Sequence, residues 1–207
     1  MTVLRPALLA LPGALAGLSL ALAAAPAVAQ DIRTIDSGAA PAGAYTLDPA
    51  HSSVTMRVSH FGLSYATLRF DKIDATLDYD PAHPEASKLQ VTIDPASIDT
   101  GDETLNRQIA SDLFEAGKYP QIRFVSTTVK PTIEGRGQVS GDLTFHGVTH
   151  PVDLDVLFNG AGQDPQHLTR LGFSANATIQ RSQFGVTKYR PAAGDDVSVD
   201  IEVEFKK

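Results

Sequence analysis

The chain has 207 residues with a formal charge of −7; 43% of it is apolar and 20% charged, a folded soluble composition that excludes disorder and collagen-like repeats. The acidic balance argues against a nucleic-acid partner. The absence of cysteine excludes disulfides, thiolate metal sites, iron–sulfur clusters, a cysteine nucleophile and a lipidated N-terminal cysteine.

Residues 1–29 read as a signal peptide. They carry one charge, Arg5, ahead of an Ala/Leu run, and Ala27-Val28-Ala29 is the small–x–small pattern of a cleavage site before Gln30. The competing reading is a membrane anchor, because Ala7 to Ala29 could span the ~30 Å of a bilayer core. Pro12-Gly13, Pro26 and the weak apolarity of alanine weigh against it. The expectation is export to a bacterial periplasm with no permanent membrane anchor. Residues 30–44 read as a flexible tether, since Ser37 to Gly43 offers only Ala, Gly, Pro and Ser. The folded body is then 45–207.

The body alternates with period two, the mark of strands with one apolar and one wet face. Val54, Met56 and Val58 alternate with Thr55, Arg57 and Ser59; Leu89, Val91 and Ile93 alternate with Gln90 and Thr92. Between Leu68/Phe70 and Ile73/Ala75/Leu77/Tyr79 the phase flips once, which predicts a bend near Asp71-Lys72. Val139, Leu143 and Phe145 keep one phase, with Gly141 filling a place. Val152, Leu154, Val156 and Phe158 follow, then Leu171 to Ile179, then the run Val197, Val199, Ile201, Val203, Phe205. Turn signals lie at Asp80-Pro81, His83-Pro84, Gly135/Gly137, Asn159-Gly160 and Ala193-Gly194-Asp195; the third and fourth are expected hairpins. One stretch breaks the rhythm. Leu105, Ile109, Leu113 and Phe114 recur at helical spacing, which predicts a helix over 104–116, capped by Thr104 and ended by Gly117. Such strands can hide their apolar faces by closing into a barrel or by stacking as a sandwich, and pattern alone leaves both open.

No catalytic constellation stands out. Of the six histidines, no two share a ligand spacing on one element, so no metal is expected from His60, His146 or His150. The acids fall on wet faces or in turns. No G-x-S-x-G elbow, dinucleotide loop or phosphate loop occurs, so no cofactor is expected.

Four segments carry a family likeness. They are Asp48-Pro49-Ala50-His51-Ser52 with His60-Phe61-Gly62; Ile98-Asp99-Thr100 with Lys118-Tyr119-Pro120; Gly141 to Val152; and Ile179 to Gly185. In this order they resemble the YceI-like proteins over about Tyr45 to Phe205. The helix departs from the pattern, with Asn106-Arg107-Gln108-Ile109 and Leu113-Phe114 where many relatives carry Arg-Asp, a His and a Phe pair. The resemblance implies an extended eight-stranded antiparallel lipocalin-like barrel with one short helical insertion. It also implies a long isoprenoid or similar lipid in its interior, export, and often a homodimer. Candidate lining residues are Val54, Met56, Val58, Phe70, Phe124, Val139, Leu143, Phe145, Phe173 and Ile179. For the polar end of the ligand the candidates are Arg181, beside Phe184, and His60, beside Phe61, each with a buried structural corner as the competing role. The alternative function is a cavity enzyme, a hydrolase or isomerase acting on a hydrophobic substrate.

Overall fold

In a computed structural model of the chain, residues 33–133 and 135–207 are described. The leader expected over 1–29 and its cleavage point lie outside them. Strand alternation produces eleven segments: β1 (Gly43–Leu47), β2 (Ser53–His60), β3 (Ser64–Phe70), β4 (Ile73–Tyr79), β5 (Lys88–Ile93), β6 (Ile98–Asp99), β7 (Ile122–Pro131), β8 (Arg136–Phe145), β9 (Val148–Gln163), β10 (Thr169–Gln180) and β11 (Ala193–Lys206). All pair antiparallel. Eight of them close a ring, β1–β4–β5–β7–β8–β9–β10–β11 and back to β1, so the barrel, not the sandwich, is formed. β2 and β3 lengthen it: β11 pairs with β1 through Lys206 and Phe205 and with β2 from Glu202 to Val197. β3 runs on into β4 across the expected bend at Asp71-Lys72, and Leu68, Phe70, Ala75, Leu77 and Tyr79 are buried on both sides of it.

The helical insertion packs beside β6. Asp102 caps α1 (Glu103–Gln108) instead of Thr104: its Oδ1 accepts the backbone N–H groups of Thr104 and Leu105 at 2.8 and 2.9 Å. The helix widens into a π turn over Ile109–Leu113 and stops at Phe114, short of Gly117. No described helix is long and apolar enough to cross a membrane.

Three other expectations are corrected. The segment read as a tether is docked from Arg33 onward. Thr34 exchanges backbone hydrogen bonds of 2.7 and 2.9 Å with Ala161, the Tyr79 hydroxyl donates to Ser37 O at 2.9 Å, and Ala40 is buried in the core. Composition hid this because the bonds run through main-chain groups that any residue carries. Asn159-Gly160 is not a hairpin but lies within β9, where the register with β10 shifts at Gly172/Phe173. The reversal comes at Asp164, whose Oδ1 accepts the N–H groups of Gln166 and Leu168, both at 2.9 Å. Ala193-Gly194-Asp195 opens β11 instead of turning.

Ring closure rests on two residue pairs, Thr46↔Lys206 and Leu47↔Phe205. Asp48 is buried beside them. Its carboxylate pairs with Arg170, with His51 Nδ1 at 3.0 Å and with Lys206 Nζ at 3.3 Å, while Arg170 Nε reaches Asp164 Oδ2 at 2.9 Å. The Arg170 hydrogen bond first, then those from His51 and Lys206, hold the Asp48 carboxyl well below the usual carboxylate range, against the upward pull of burial.

A folded-state value below the unfolded one means that this clasp stabilises fully above pH ~4 and is lost as pH falls through the depressed value. Asp48→Asn should therefore cost about 2–3 kcal/mol at pH 7, with the gap to the native protein narrowing below pH ~4. Urea unfolding at pH 7 and pH 3 measures both, and an equal loss at the two pH values contradicts it. Gly141 has a steric reason: a Cβ there would lie 2.4 Å from Phe124 Cζ and 2.6 Å from the Val125 carbonyl oxygen. Since the carbonyl belongs to β7 and cannot swing aside, Gly141→Ala should lower stability by about 1–3 kcal/mol in thermal melts.

Candidate functional site

The inward faces of the strands do not meet. Two packed clusters form, one around Ala40, Tyr45, Leu77, Tyr79 and Phe205, the other around Phe70, Ile98, Ile109 and Phe114. Inside the ring lies a cavity of about 400 Å³ with an almost wholly apolar wall. That size falls within the usual range for small-molecule sites. β8 contributes Val139, Leu143 and Phe145, β9 contributes Val152, Leu154, Val156 and Phe158, and β10 contributes Phe173, Ala175, Ala177 and Ile179. Five alternate residues of β11, Val197 to Phe205, supply one continuous stave. Along that strand the stave measures ~26 Å at ~3.3 Å per residue.

The two ends of the cavity differ. At one end Ile109, Leu113 and Phe114 of the helical insertion form a floor, and the Phe114 ring lies 5.1 Å from Phe145 and 6.1 Å from Phe70 between centroids. The floor is the π turn and Phe114, whose partner was not readable from the helical spacing. At the other end the wall includes Ser37 of the docked N-terminal segment, Pro84 and Ser87 between β4 and β5, and Pro131, Thr132 and Arg136 of the β7–β8 turn. Pro131, Thr132 and Arg136 are the exposed members of the lining.

Of the expected lining residues, Val54, Met56, Val58, Phe70, Phe124, Val139, Leu143, Phe145, Phe173 and Ile179 all face the cavity. Three other expected site residues do not. His60 and Phe61 are exposed at the β2–β3 turn, stacked edge-on with centroids 4.6 Å apart, because the turn carries them past the end of the barrel. Phe184 is fully buried, but behind the wall, against Phe145 and His150.

Arg181 reaches the wall and is 6% exposed, yet four of its five N–H groups are engaged. Nε donates to Gly194 O at 2.7 Å, Nη1 to Val186 O and Lys188 O at 2.8 and 2.9 Å, and Nη2 to Ala193 O at 2.9 Å. Burial draws this guanidinium below the usual arginine value, with Asp195 opposing. Arg181 is a structural corner, fastening the loop after Phe184 to the start of β11.

The histidines of the Gly141–Val152 motif also have structural partners. His146 Nε2 meets Glu115 Oε2 at 2.6 Å and its ring lies 4.5 Å from Tyr119, joining the segment after the helix to the β8–β9 turn. Among the described lining residues the titratable groups are Tyr79, Arg136 and Arg181; no histidine or carboxylate faces the cavity. One group of described residues, Asp48, His51 and Glu204, holds possible metal-ligand atoms within 4.8 Å of one another, but Arg170 and Lys206 already neutralise it at the ring closure.

The same architecture recurs in known proteins. A family model described as the YceI-like domain matches residues 45–205. A UPF0312 protein of Pseudomonas putida strain GB-1 is 39% identical over 184 residues, covering 87% of this chain and 95% of its own length. The crystal structure of Burkholderia cenocepacia BcnA superposes with a TM-score of 0.69 at 30% identity, covering 76% of this chain and 98% of that one. A polyisoprenoid-binding domain from Saccharophagus degradans, described as implicated in plant cell wall breakdown, shares the fold with a TM-score of 0.59 at 19% identity, covering 78% of this chain and 97% of its own.

Arg181→Met keeps the apolar stem and removes every donor, leaving buried carbonyls unpaired. It should lower the unfolding free energy by about 3 kcal/mol or more. An unchanged urea midpoint would show that the corner carries no stability.

Proposed function

The chain belongs to the YceI-like family, and on that footing we propose that it is a periplasmic binding and carrier protein for a long-chain isoprenoid or similar lipid held inside the barrel. The observation that carries this reading is the aliphatic and aromatic cavity enclosed by a sheet whose outer face is charged. Such a wall recognises a ligand by the area it takes out of water, not by directed bonds. Each methylene transferred contributes ~0.8 kcal/mol, so a five-carbon unit contributes about 4 kcal/mol. Association itself costs about 4–15 kcal/mol. One unit therefore does not hold, while a chain of several does, which favours long tails over short ones.

The Saccharophagus degradans domain, described as polyisoprenoid-binding, supports lipid binding in general. The isoprenoid nature of the tail rests on the family resemblance, and the periplasmic setting on the leader read in residues 1–29. A carrier suits that setting, because a long hydrocarbon cannot cross an aqueous compartment unshielded. An enzyme acting on a hydrophobic substrate would want an acid or base at the wall; among the described residues the titratable groups there are a tyrosine and two arginines, which favours binding over catalysis.

Protein purified from its native host should yield a long-chain lipid to organic extraction and mass spectrometry, and a clean extract overturns the proposal. Two variants make the test specific to the cavity. Phe173→Asp places a charge among Tyr79, Phe158 and Phe205. Ala177→Trp fills the tube from a position where the wall residue is small and belongs to neither packed cluster. Both should lose the lipid, and the second should keep its melting temperature to within a few degrees.

A further inference from the structure

We propose that the end of the barrel closed by the helical insertion is a docking surface for an anionic lipid bilayer, with the β2–β3 turn as the part that enters it. This surface is separate from the cavity wall and needs nothing from its contents. Five of the eight large apolar side chains exposed among the described residues belong to this end: Phe61, Leu63, Tyr65, Leu105 and Tyr189. Leu63 is 87% exposed and Phe61 64%. The three segments that carry them are tied to one another. Phe61 N donates to Ala192 O at 2.7 Å, Ala193 N donates to Tyr189 O at 2.7 Å, and Gln108 Nε2, one helical turn from Leu105, donates to the Tyr189 hydroxyl at 2.8 Å. The side chains are thus presented together, and an exposed apolar patch of this kind marks a contact surface. Phe61 and Tyr189 also hold left-handed backbones, with φ of 53° and 65°. Bulky residues disfavour that conformation, and burial does not offset it here, since both rings are exposed.

Charge selects the partner. The chain carries −7 overall, yet residues 49–70 and 165–194 contain no Asp or Glu. The exposed cations of these stretches at this end are Arg57, whose guanidinium lies 4.8 Å from the centre of the Tyr65 ring, Lys188 and Arg190. Lys188 Nζ donates to the main-chain oxygen of Asp112 at 2.6 Å, which leaves its charge uncancelled. Of the acids nearby, Asp195 meets Arg190 at 3.5 Å, Asp102 caps α1, and Glu103 meets Arg107 at 3.7 Å. Phe and Leu at the tip, Tyr beside them and Arg and Lys around them is the composition of a segment that sits at headgroup level. An acidic protein is repelled by an anionic surface except where its own acids are missing, so the acid-free tip also sets the orientation of approach.

The test is flotation of the purified protein with vesicles of phosphatidylcholine alone and of phosphatidylcholine mixed with phosphatidylglycerol. The native protein should float with the mixed vesicles, and added salt should weaken the association. Phe61→Ser and Leu63→Ser should each lower the partition coefficient about tenfold, and Arg57→Gln and Lys188→Gln should each lower it about fivefold on the mixed vesicles only. Ile133→Ser removes a comparably exposed side chain at the other end of the barrel and should change nothing. Because the chain has no tryptophan, Leu63→Trp supplies a single reporter whose emission should shift to the blue when mixed vesicles are added. All these positions are exposed, so the variants should melt with the native protein. A native protein that stays in the buffer, flotation that Phe61→Ser and Leu63→Ser leave unchanged, or a Leu63→Trp spectrum that vesicles do not move overturns the docking surface. So does a dimer in sedimentation equilibrium that Leu63→Ser dissociates while vesicles go unbound, because a second copy then covers the patch. A clean organic extract bears on the cavity alone and leaves this surface standing.

Discussion

The cavity exists because the sheet is closed, and the closure is narrow. β1 and β11 meet through two residue pairs, and the Asp48–Arg170–Lys206 clasp sits immediately beside them. A sheet of this twist left open at that seam would satisfy its apolar face by folding onto itself, with side chains from both halves interdigitating. Hydrogen-bonded into a ring, the strands are held at a fixed radius, and eight of them enclose an interior that side chains either fill or leave free for a ligand. The buried ion pairs are thus concentrated where β1 and β11 must be kept together. The exposed pairs elsewhere, such as Lys72–Asp94 at 3.3 Å, contribute little.

What keeps that interior from filling is residue size. β10 presents Ala175 and Ala177 where a sandwich would want Leu or Phe, and the chain has no tryptophan. The aromatic residues are gathered toward the two ends. Phe158, Phe173 and Phe205 pack around Tyr79 near the docked N-terminal segment, and Phe70, Phe114 and Phe145 pack over the helical floor. Valines make up most of the middle.

Much of this was legible in the residues. Alternation gave the inward faces of β2 to β5 and of β8 to β11, and the single phase flip at Asp71-Lys72 located the bend; β1 and β7 carried no run long enough to read. The choice between tube and sandwich was not legible from alternation, because both bury the same face; it depends on pairing Leu47 with Phe205, residues far apart in the chain. Arg181 and His60 looked alike in sequence, each a basic group beside Phe and Gly. The structure separates them by where the main chain turns, burying one among carbonyls and carrying the other past the barrel's end. The floor was hidden for a similar reason: an amphipathic turn shows that it has a dry side without showing what that side covers.

The uniformity of the wall also bears on how a guest would leave. A tail seated along Val139, Val152, Val156 and Val197 meets no directed bond that must snap before it can slide. Withdrawal exposes one methylene after another, each costing ~0.8 kcal/mol, so the path outward is a steady uphill ramp without an intermediate resting place. Escape into water is then slow in proportion to tail length, whereas contact with an apolar acceptor at the rim flattens the ramp. The barrel would in this way be a container that stays shut without a lid and unloads only by touching its destination.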